Sequence, residues 1–367
     1  MTDIWIPSLE DLSQCSKAEV KVLISSLSLQ SVQSLQLLLE RSKGMISENI
    51  RTFILKYLKK PTTSTCFGRS REYYLNSSGI RCAVDIWTPE IPPIATLIFC
   101  HGLFDHPMLF SHVLARFVEE GYFVVAPTLP GWGDSNGKRW LVKKIDDFAV
   151  EIPFVFDRYI GCHPNLSHIP HFVMGHSMGG VVAILAAFNA ERLWSNGGGL
   201  LLSSPLLALD PSFAPPVKRF ITPIAKVVAP KAPMMKPLKD SDMCRRCHFR
   251  SLSDDPRSLS QGIPIMTGYA LLQAERSLKH KLTDPSAMKM PIFVQSGSDD
   301  EISDIRMIHS LKTLKNAKVR IWPGLKHDLL RETAWRDVVD RFLKWSSSRS
   351  RAAVKAKVAI KCRKDWR

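Results

Sequence analysis

The segment His171-Phe-Val-Met-Gly-His-Ser-Met-Gly-Gly180 places the tightest constraint on how this chain folds. A short apolar run ending at Met174 is followed at once by Gly175-x-Ser177-x-Gly179, and then by Val181-Val-Ala-Ile-Leu-Ala-Ala-Phe188, which reads as a buried helix. A strand that passes into a helix over so few residues must turn sharply, and a serine at the apex projects its hydroxyl above the strand end. Glycines two places before and after that serine remove side chains that would collide across the turn.

The surrounding sequence supplies the sheet that such a unit needs. Residues 80–87 alternate as a half-buried strand, and short apolar runs recur at 94–100, 122–126, 171–174, 200–202, 292–295 and 319–322. Most are unbroken and end in Gly or a polar turn, as in a sheet covered on both faces. Helical patterns lie between them at 108–120, 145–160, 178–193, 303–314 and 334–345. Strand–helix alternation predicts an α/β fold with a doubly wound, mostly parallel sheet. Chemistry is then sought directly after the apolar runs, at the carboxyl ends of the strands.

Two further segments meet that condition. Pro291-Ile-Phe-Val-Gln-Ser-Gly-Ser-Asp-Asp300 is a strand ending in Gly-x-x-Asp, and Pro323-Gly-Leu-Lys-His327 follows the next strand. A serine hydroxyl needs a base, and that base needs an acid to orient it. The chain order Ser177, Asp300, His327 is that of the α/β-hydrolase fold. Asp299 and Asp304 are rivals for the acid, with Asp300 favoured by the Gly-x-x-Asp spacing. His176 flanks the nucleophile, but its side chain should point the other way, which suits a structural role. His101-Gly-Leu-Phe-Asp-His106 follows the strand at 94–100, where an oxyanion-binding loop belongs. The backbone N–H groups of Leu103 and Met178 are the expected donors to the oxyanion.

At these residues the chain resembles the monoacylglycerol lipase and lysophospholipase group of serine hydrolases, which is filed with the serine aminopeptidases. The resemblance rests on His101–His106, Gly175–Gly180, Gly297-Ser-Asp-Asp-Glu-Ile-Ser-Asp304 and Trp322-Pro-Gly-Leu-Lys-His327. Pro127–Ser135 and the cap-like Ser251-Leu-Ser-Asp-Asp-Pro-Arg257 add to it. It covers roughly residues 70–346 and implies an α/β-hydrolase domain, a cap that admits one acyl chain, and ester hydrolysis without a cofactor. Asp105 stands where the group usually has glutamate, and the segment after it is more apolar than expected, which leaves the substrate open. Phe104, Phe213, Phe220 and Ile224 are the candidate substrate contacts. Thioesters and peptides remain open as substrates, and so does a non-catalytic scaffold acting through the N-terminal helices.

The expected layout is a helical N-terminal extension over 1–65, an α/β-hydrolase domain over 68–345 with a cap at about 205–285, and a basic tail over 346–367. Eight of the 24 prolines fall within 205–237, too many for sheet or a long regular helix. The formal net charge of +16 is concentrated: residues 346–367 hold eight Lys/Arg against one Asp, and residues 205–250 hold nine against three. Such patches suit an anionic membrane surface met through the cap and tail. Nucleic acid is not expected, since no aromatic-basic recognition motif accompanies the charge. The first 60 residues suit a protein partner better than lipid, because their polar positions are largely Ser and Gln. With no export signal in view, the expectation is a cytoplasmic protein, peripherally bound to membrane, whose eight cysteines are reduced thiols. Cys244-x-x-Cys247-His248 has haem-attachment or half-zinc spacing but no second ligand pair, and reads as fortuitous.

Overall fold

A computed structural model describes residues 68–364, apart from 104, 214–215, 235–237, 246, 248–254, 259–261 and 283–287. The expected helical extension over 1–65 lies outside the described residues, as do Phe104, His248 and residues 251–254 of the cap-like segment.

Eight strands form one sheet: β1 (Gly68–Leu75), β2 (Arg81–Thr88), β3 (Ala95–Cys100), β4 (Tyr122–Pro127), β5 (His171–His176), β6 (Gly199–Ser203), β7 (Ile292–Gly297) and β8 (Ala317–Trp322). Their order across the sheet is β1-β2-β4-β3-β5-β6-β7-β8. β2 is antiparallel to both β1 and β4, and every pairing from β4 through β8 is parallel. This is the α/β-hydrolase fold, a doubly wound and mostly parallel sheet. β3, β5, β6 and β7 are buried at every residue, because helices cover both faces of the sheet.

The helices that bear on function are α1 (Ser111–Glu119), α2 (Asp146–Phe156), α3 (Met178–Asn189), α4 (Pro216–Val228), α5 (Asp240–Met243), α6 (Ile265–Leu282), α7 (Ile305–Ser310) and α8 (Trp335–Lys364). α3 sits centrally, with Met178 through Ala187 all buried.

Three elements depart from the sequence reading. β1 went unread because its pattern is mostly exposed and polar; the long side chains of Arg69 and Arg71 instead fold over the fully buried Asp85, at 3.0 and 2.7 Å. The proline-rich stretch contains the 13-residue helix α4 after all. Pro216 opens it, where no N–H is needed, and Pro223 lies inside it, where one backbone hydrogen bond is lost. The last helix does not stop near 345 but runs through Lys364, since no Gly or Pro interrupts residues 335–364.

The cysteines divide. Cys82, Cys100 and Cys162 are free, whereas the sulfurs of Cys244 and Cys247 are in bonding contact as a disulfide, with Cα atoms 5.6 Å apart. The expectation of reduced thiols fails at that pair, whose spacing lets one turn of chain bring the two side chains together. No described helix is long and apolar enough to cross a membrane.

Candidate active site

Ser177 lies between β5 and α3 with φ 53° and ψ −120°, a conformation that costs on the order of 1–3 kcal/mol and persists only where packing enforces it. The enforcing contacts are visible at the glycines. A Cβ at Gly175 would overlap the backbone of Gly179 and Gly180, and one at Gly179 would overlap the carbonyl of Cys100 at the end of β3. The backbone N–H of Ser177 donates to the Ser203 carbonyl at the end of β6, at 3.0 Å. The turn is thus wedged between the ends of β3 and β6.

The residues chosen from sequence meet there. His327 Nε2 is 2.8 Å from Ser177 Oγ, and His327 Nδ1 is 2.9 Å from Asp300 Oδ2. The other carboxylate oxygen of Asp300 accepts the backbone N–H groups of Ile302 and Ser303, each at 2.9 Å, so the acid is held from two sides. All three residues are buried, Ser177 at 6% exposure and His327 at 1%. The rival acids are committed elsewhere. Asp299 pairs with Arg245 at 2.5 Å, and Asp304 caps α7 while pairing with Arg306 at 2.8 Å. Burial alone would lower the His327 pKa, but the charge and hydrogen bond of Asp300, with Asp328 adding to them, raise it above the ordinary histidine value.

The loop after β3 closes one side of the site. A Cβ at Gly102 would lie 3.2 Å from the Ser177 Cβ, so the backbone leading into Leu103 runs directly against Ser177. His101 fixes this loop: its Nε2 accepts the Leu129 N–H at 3.0 Å, which leaves Nδ1–H to donate to the Gly102 carbonyl at 2.8 Å. Burial lowers the His101 pKa to about 3, so this neutral tautomer persists across the physiological range. Trp132 Nε1 donates to the Leu103 carbonyl. Met178 is the first residue of α3, where backbone N–H groups have no partner within the helix.

Beneath the triad lies a buried polar group that sequence reasoning touched only at His176 and Asp105. Asp105, His176, Asp328 and Arg331 are each at most 1% exposed. His176 Nε2 is 3.8 Å from Asp105 Oδ2 and 3.8 Å from Asp328 Oδ1, and its ring centroid is 5.6 Å from that of His327. Arg331 Nε donates to Asp328 Oδ2 at 2.5 Å. One guanidinium therefore faces two buried carboxyls, and it charges the nearer one. Asp328 stays below the usual carboxylate range, because Arg331 outweighs burial, while burial pushes Asp105 up to about 7. Burial likewise holds His176 neutral, with a pKa near 4.

A carboxyl whose folded pKa lies above its unfolded value supplies stability at low pH that is lost as pH rises, here from the ordinary aspartate range up to about 7. Asparagine cannot ionise. The melting temperature of Asp105→Asn, taken relative to wild type, should therefore rise between about pH 5 and about pH 8. A flat difference across that range would mean that Asp105 is already ionised at the lower pH.

His106, next in the same loop, ties it to the segment between β6 and β7. Its Nε2 is 2.8 Å from Asp255 Oδ2, and Arg257 reaches the same carboxylate at 2.9 Å. Burial alone would raise the Asp255 pKa, but the His106 and Arg257 hydrogen bonds outweigh it and hold the carboxyl far below its ordinary range. Burial keeps His106 below the ordinary histidine value, so a neutral imidazole donates to a charged Asp255. Of the expected substrate contacts, Phe213 is half-buried against the core, whereas Ile224 is 72% exposed on the outer side of α4 and does not line an enclosed pocket. Phe220 falls within α4, but its side chain lies outside the described residues. No group of His, Cys, Asp and Glu suited to a metal ion occurs among the described residues.

Comparison with known proteins bears on this arrangement. The profile of the family described as Serine aminopeptidase, S33 matches residues 91–334. The chain is 26% identical over 284 residues to the monoacylglycerol lipase of Mycolicibacterium smegmatis, covering 76% of this chain and 96% of that protein. It is 26% identical over 264 residues to human monoglyceride lipase, covering 71% of this chain and 84% of that protein. A soluble variant of Saccharomyces cerevisiae monoglyceride lipase, solved with a substrate analogue, superposes with a TM-score of 0.64 at 17% identity, over 77% of this chain and 95% of that one. At that identity the superposition establishes the shared fold.

Proposed function

The chain belongs to the serine aminopeptidase S33 family, and from that premise we propose that it hydrolyses the carboxylic ester of single-chain lipids, monoacylglycerol or lysophospholipid, through an acyl-enzyme on Ser177. The observation that carries the reading is the unbroken hydrogen-bonded chain from Ser177 Oγ through His327 to Asp300, at 2.8 and 2.9 Å.

In this mechanism Ser177 Oγ attacks the ester carbonyl while His327 Nε2 takes its proton. Asp300 holds Nδ1–H and favours the imidazolium that results. Negative charge on the carbonyl oxygen is received by the N–H groups of Leu103 and Met178, and losing one such donor typically costs about 10²–10³ in rate. The imidazolium then protonates the departing alcohol. Water, activated by His327, repeats the sequence on the acyl-enzyme to release the fatty acid and restore Ser177.

An ester panel tests the substrate class. Initial rates on a medium-chain monoacylglycerol and a lysophospholipid should exceed those on matched acyl thioesters and on peptide amides. Faster turnover of thioester or peptide would transfer the same triad to that substrate.

The cap supplies a further part of the proposal. Ile221, Ile224, Val227 and Val228 are 53–81% exposed on α4, and their spacing gathers them along one side of the helix. Burying such a ridge in the outer part of a bilayer would bring the cap to its lipid substrate. The tail helix is poorly placed to touch the same surface. By Ser346 and Arg349 it has reached the amino ends of the strands, with Tyr122 Oη 2.8 Å from Ser346 Oγ and Arg349 Nε 3.1 Å from the Gly198 carbonyl. Ile224→Asp with Val228→Asp should reduce sedimentation with phosphatidylcholine–phosphatidylserine vesicles at least fivefold while leaving hydrolysis of a soluble short-chain ester unchanged. Undiminished sedimentation would remove the cap ridge from the account. A protein partner for residues 1–65 remains part of the proposal and lies outside the described residues.

A further inference from the structure

A trough of about 500 Å³ runs between β8, the edge strand of the sheet, and helix α8. Its charged lining is entirely basic. Lys318 and Arg320 come from alternate positions of β8, and Arg341 and Lys344 rise from consecutive turns of α8. Phe293 and Trp345 form apolar wall. The two acids on this part of α8, Asp337 and Asp340, are not in the lining, and Asp340 is taken by Arg116 at 3.0 Å.

None of the four cations pairs with a carboxylate among the described residues. Three of them lie against aromatic rings instead. Lys318 Nζ lies 5.2 Å from the Phe293 ring centroid, while the Arg320 and Arg341 guanidinium carbons lie 4.8 and 5.3 Å from that of Trp322. The Arg320 Nε is buried and has no hydrogen-bond partner among the described residues. A buried donor left unmade costs free energy, and four like charges in one trough repel one another at distances where salt screens them only partly. Both costs vanish if an anion with several acceptor oxygens sits among them. Guanidinium groups fixed on an indole are pre-oriented for such a ligand, and phosphate oxygens match their fork.

We propose that this trough is a second, non-catalytic site that binds a phosphate group, borne either by a lipid headgroup or by a free phosphorylated molecule. It is distinct from the ester-cleaving site. Ser177, Asp300 and His327 follow the carboxyl ends of β5, β7 and β8, whereas Lys318 lies near the amino end of β8 and the trough occupies its flank. The proposal therefore stands whether or not the lipid-ester reading holds.

The test compares wild type with Lys318→Gln/Lys344→Gln and with the control Lys312→Gln/Lys315→Gln, whose exposed lysines precede β8 and lie outside the trough. Binding of inorganic pyrophosphate is measured by calorimetry, and binding to phosphatidylcholine vesicles with and without phosphatidic acid by sedimentation. Melting temperature and short-ester hydrolysis confirm that each variant is folded. Saturable pyrophosphate binding that weakens at least tenfold in the trough variant alone supports a free phosphorylated ligand. Vesicle binding that needs phosphatidic acid and is lost in the same variant supports a headgroup. The proposal is overturned if wild type binds neither probe, or if the trough variant binds as wild type does.

Discussion

Ser177→Ala should lower turnover of a soluble short-chain ester by about a millionfold and leave the protein at least as stable as wild type. The magnitude follows from what a triad serine does: removing it abolishes the covalent route and leaves only the background supplied by binding and the oxyanion donors. The stability expectation follows from the turn. Ser177 is held at φ 53° by backbone contacts at Gly175 and Gly179, and alanine must adopt the same conformation. Among the described residues its hydroxyl makes one hydrogen bond, to His327, which keeps Asp300 as a partner on its other nitrogen. Activity by ester hydrolysis and stability by thermal melting should therefore separate cleanly. Residual turnover within a hundredfold of wild type would mean that another group performs the attack.

Asp300→Asn should lower kcat by about 10⁴ with little change in KM, because the amide can offer His327 the wrong tautomer while filling the same space. Its counterparts Asp299→Asn and Asp304→Asn should stay within a few-fold of wild type. Those carboxylates engage Arg245 and Arg306 at the surface, and neither touches His327. The three variants together decide which acid serves the histidine. A loss at Asp299 or Asp304 as large as that at Asp300 would contradict the assignment. A rise in KM alone would point to a role in substrate binding rather than in the chemical step.

Most of the central sheet was legible in the sequence because β3 to β7 are buried on both faces and read as unbroken apolar runs. The nucleophile turn was legible for a related reason, since its glycines answer to backbone collisions that the structure displays directly. Asp300 is legible as the candidate acid through its place after β7, whereas the arginine partners of Asp299 and Asp304 are visible only in the structure. What stayed hidden was assembled from separate segments. Asp105, His176, Asp328 and Arg331 come from three strand ends, and nothing local in the sequence marks them as one cluster. Asp255 and His106, 149 residues apart, were likewise invisible as a pair. β1 is hidden because its polar residues, with Arg69 and Arg71 folded over Asp85, mask the strand alternation. Helix α4 is masked by the proline content of its surroundings, although Pro216 stands where a helix tolerates it and only Pro223 lies inside.

The most direct test of the central claim is intact-mass analysis after exposure to a fluorophosphonate, which reacts with an activated serine and not with ordinary ones. Wild type should gain the mass of one adduct, its ester hydrolysis should be lost in proportion, and Ser177→Ala should gain none. An adduct on Ser177→Ala, or no adduct on folded wild type that hydrolyses ester, would contradict the assignment of Ser177 as the nucleophile.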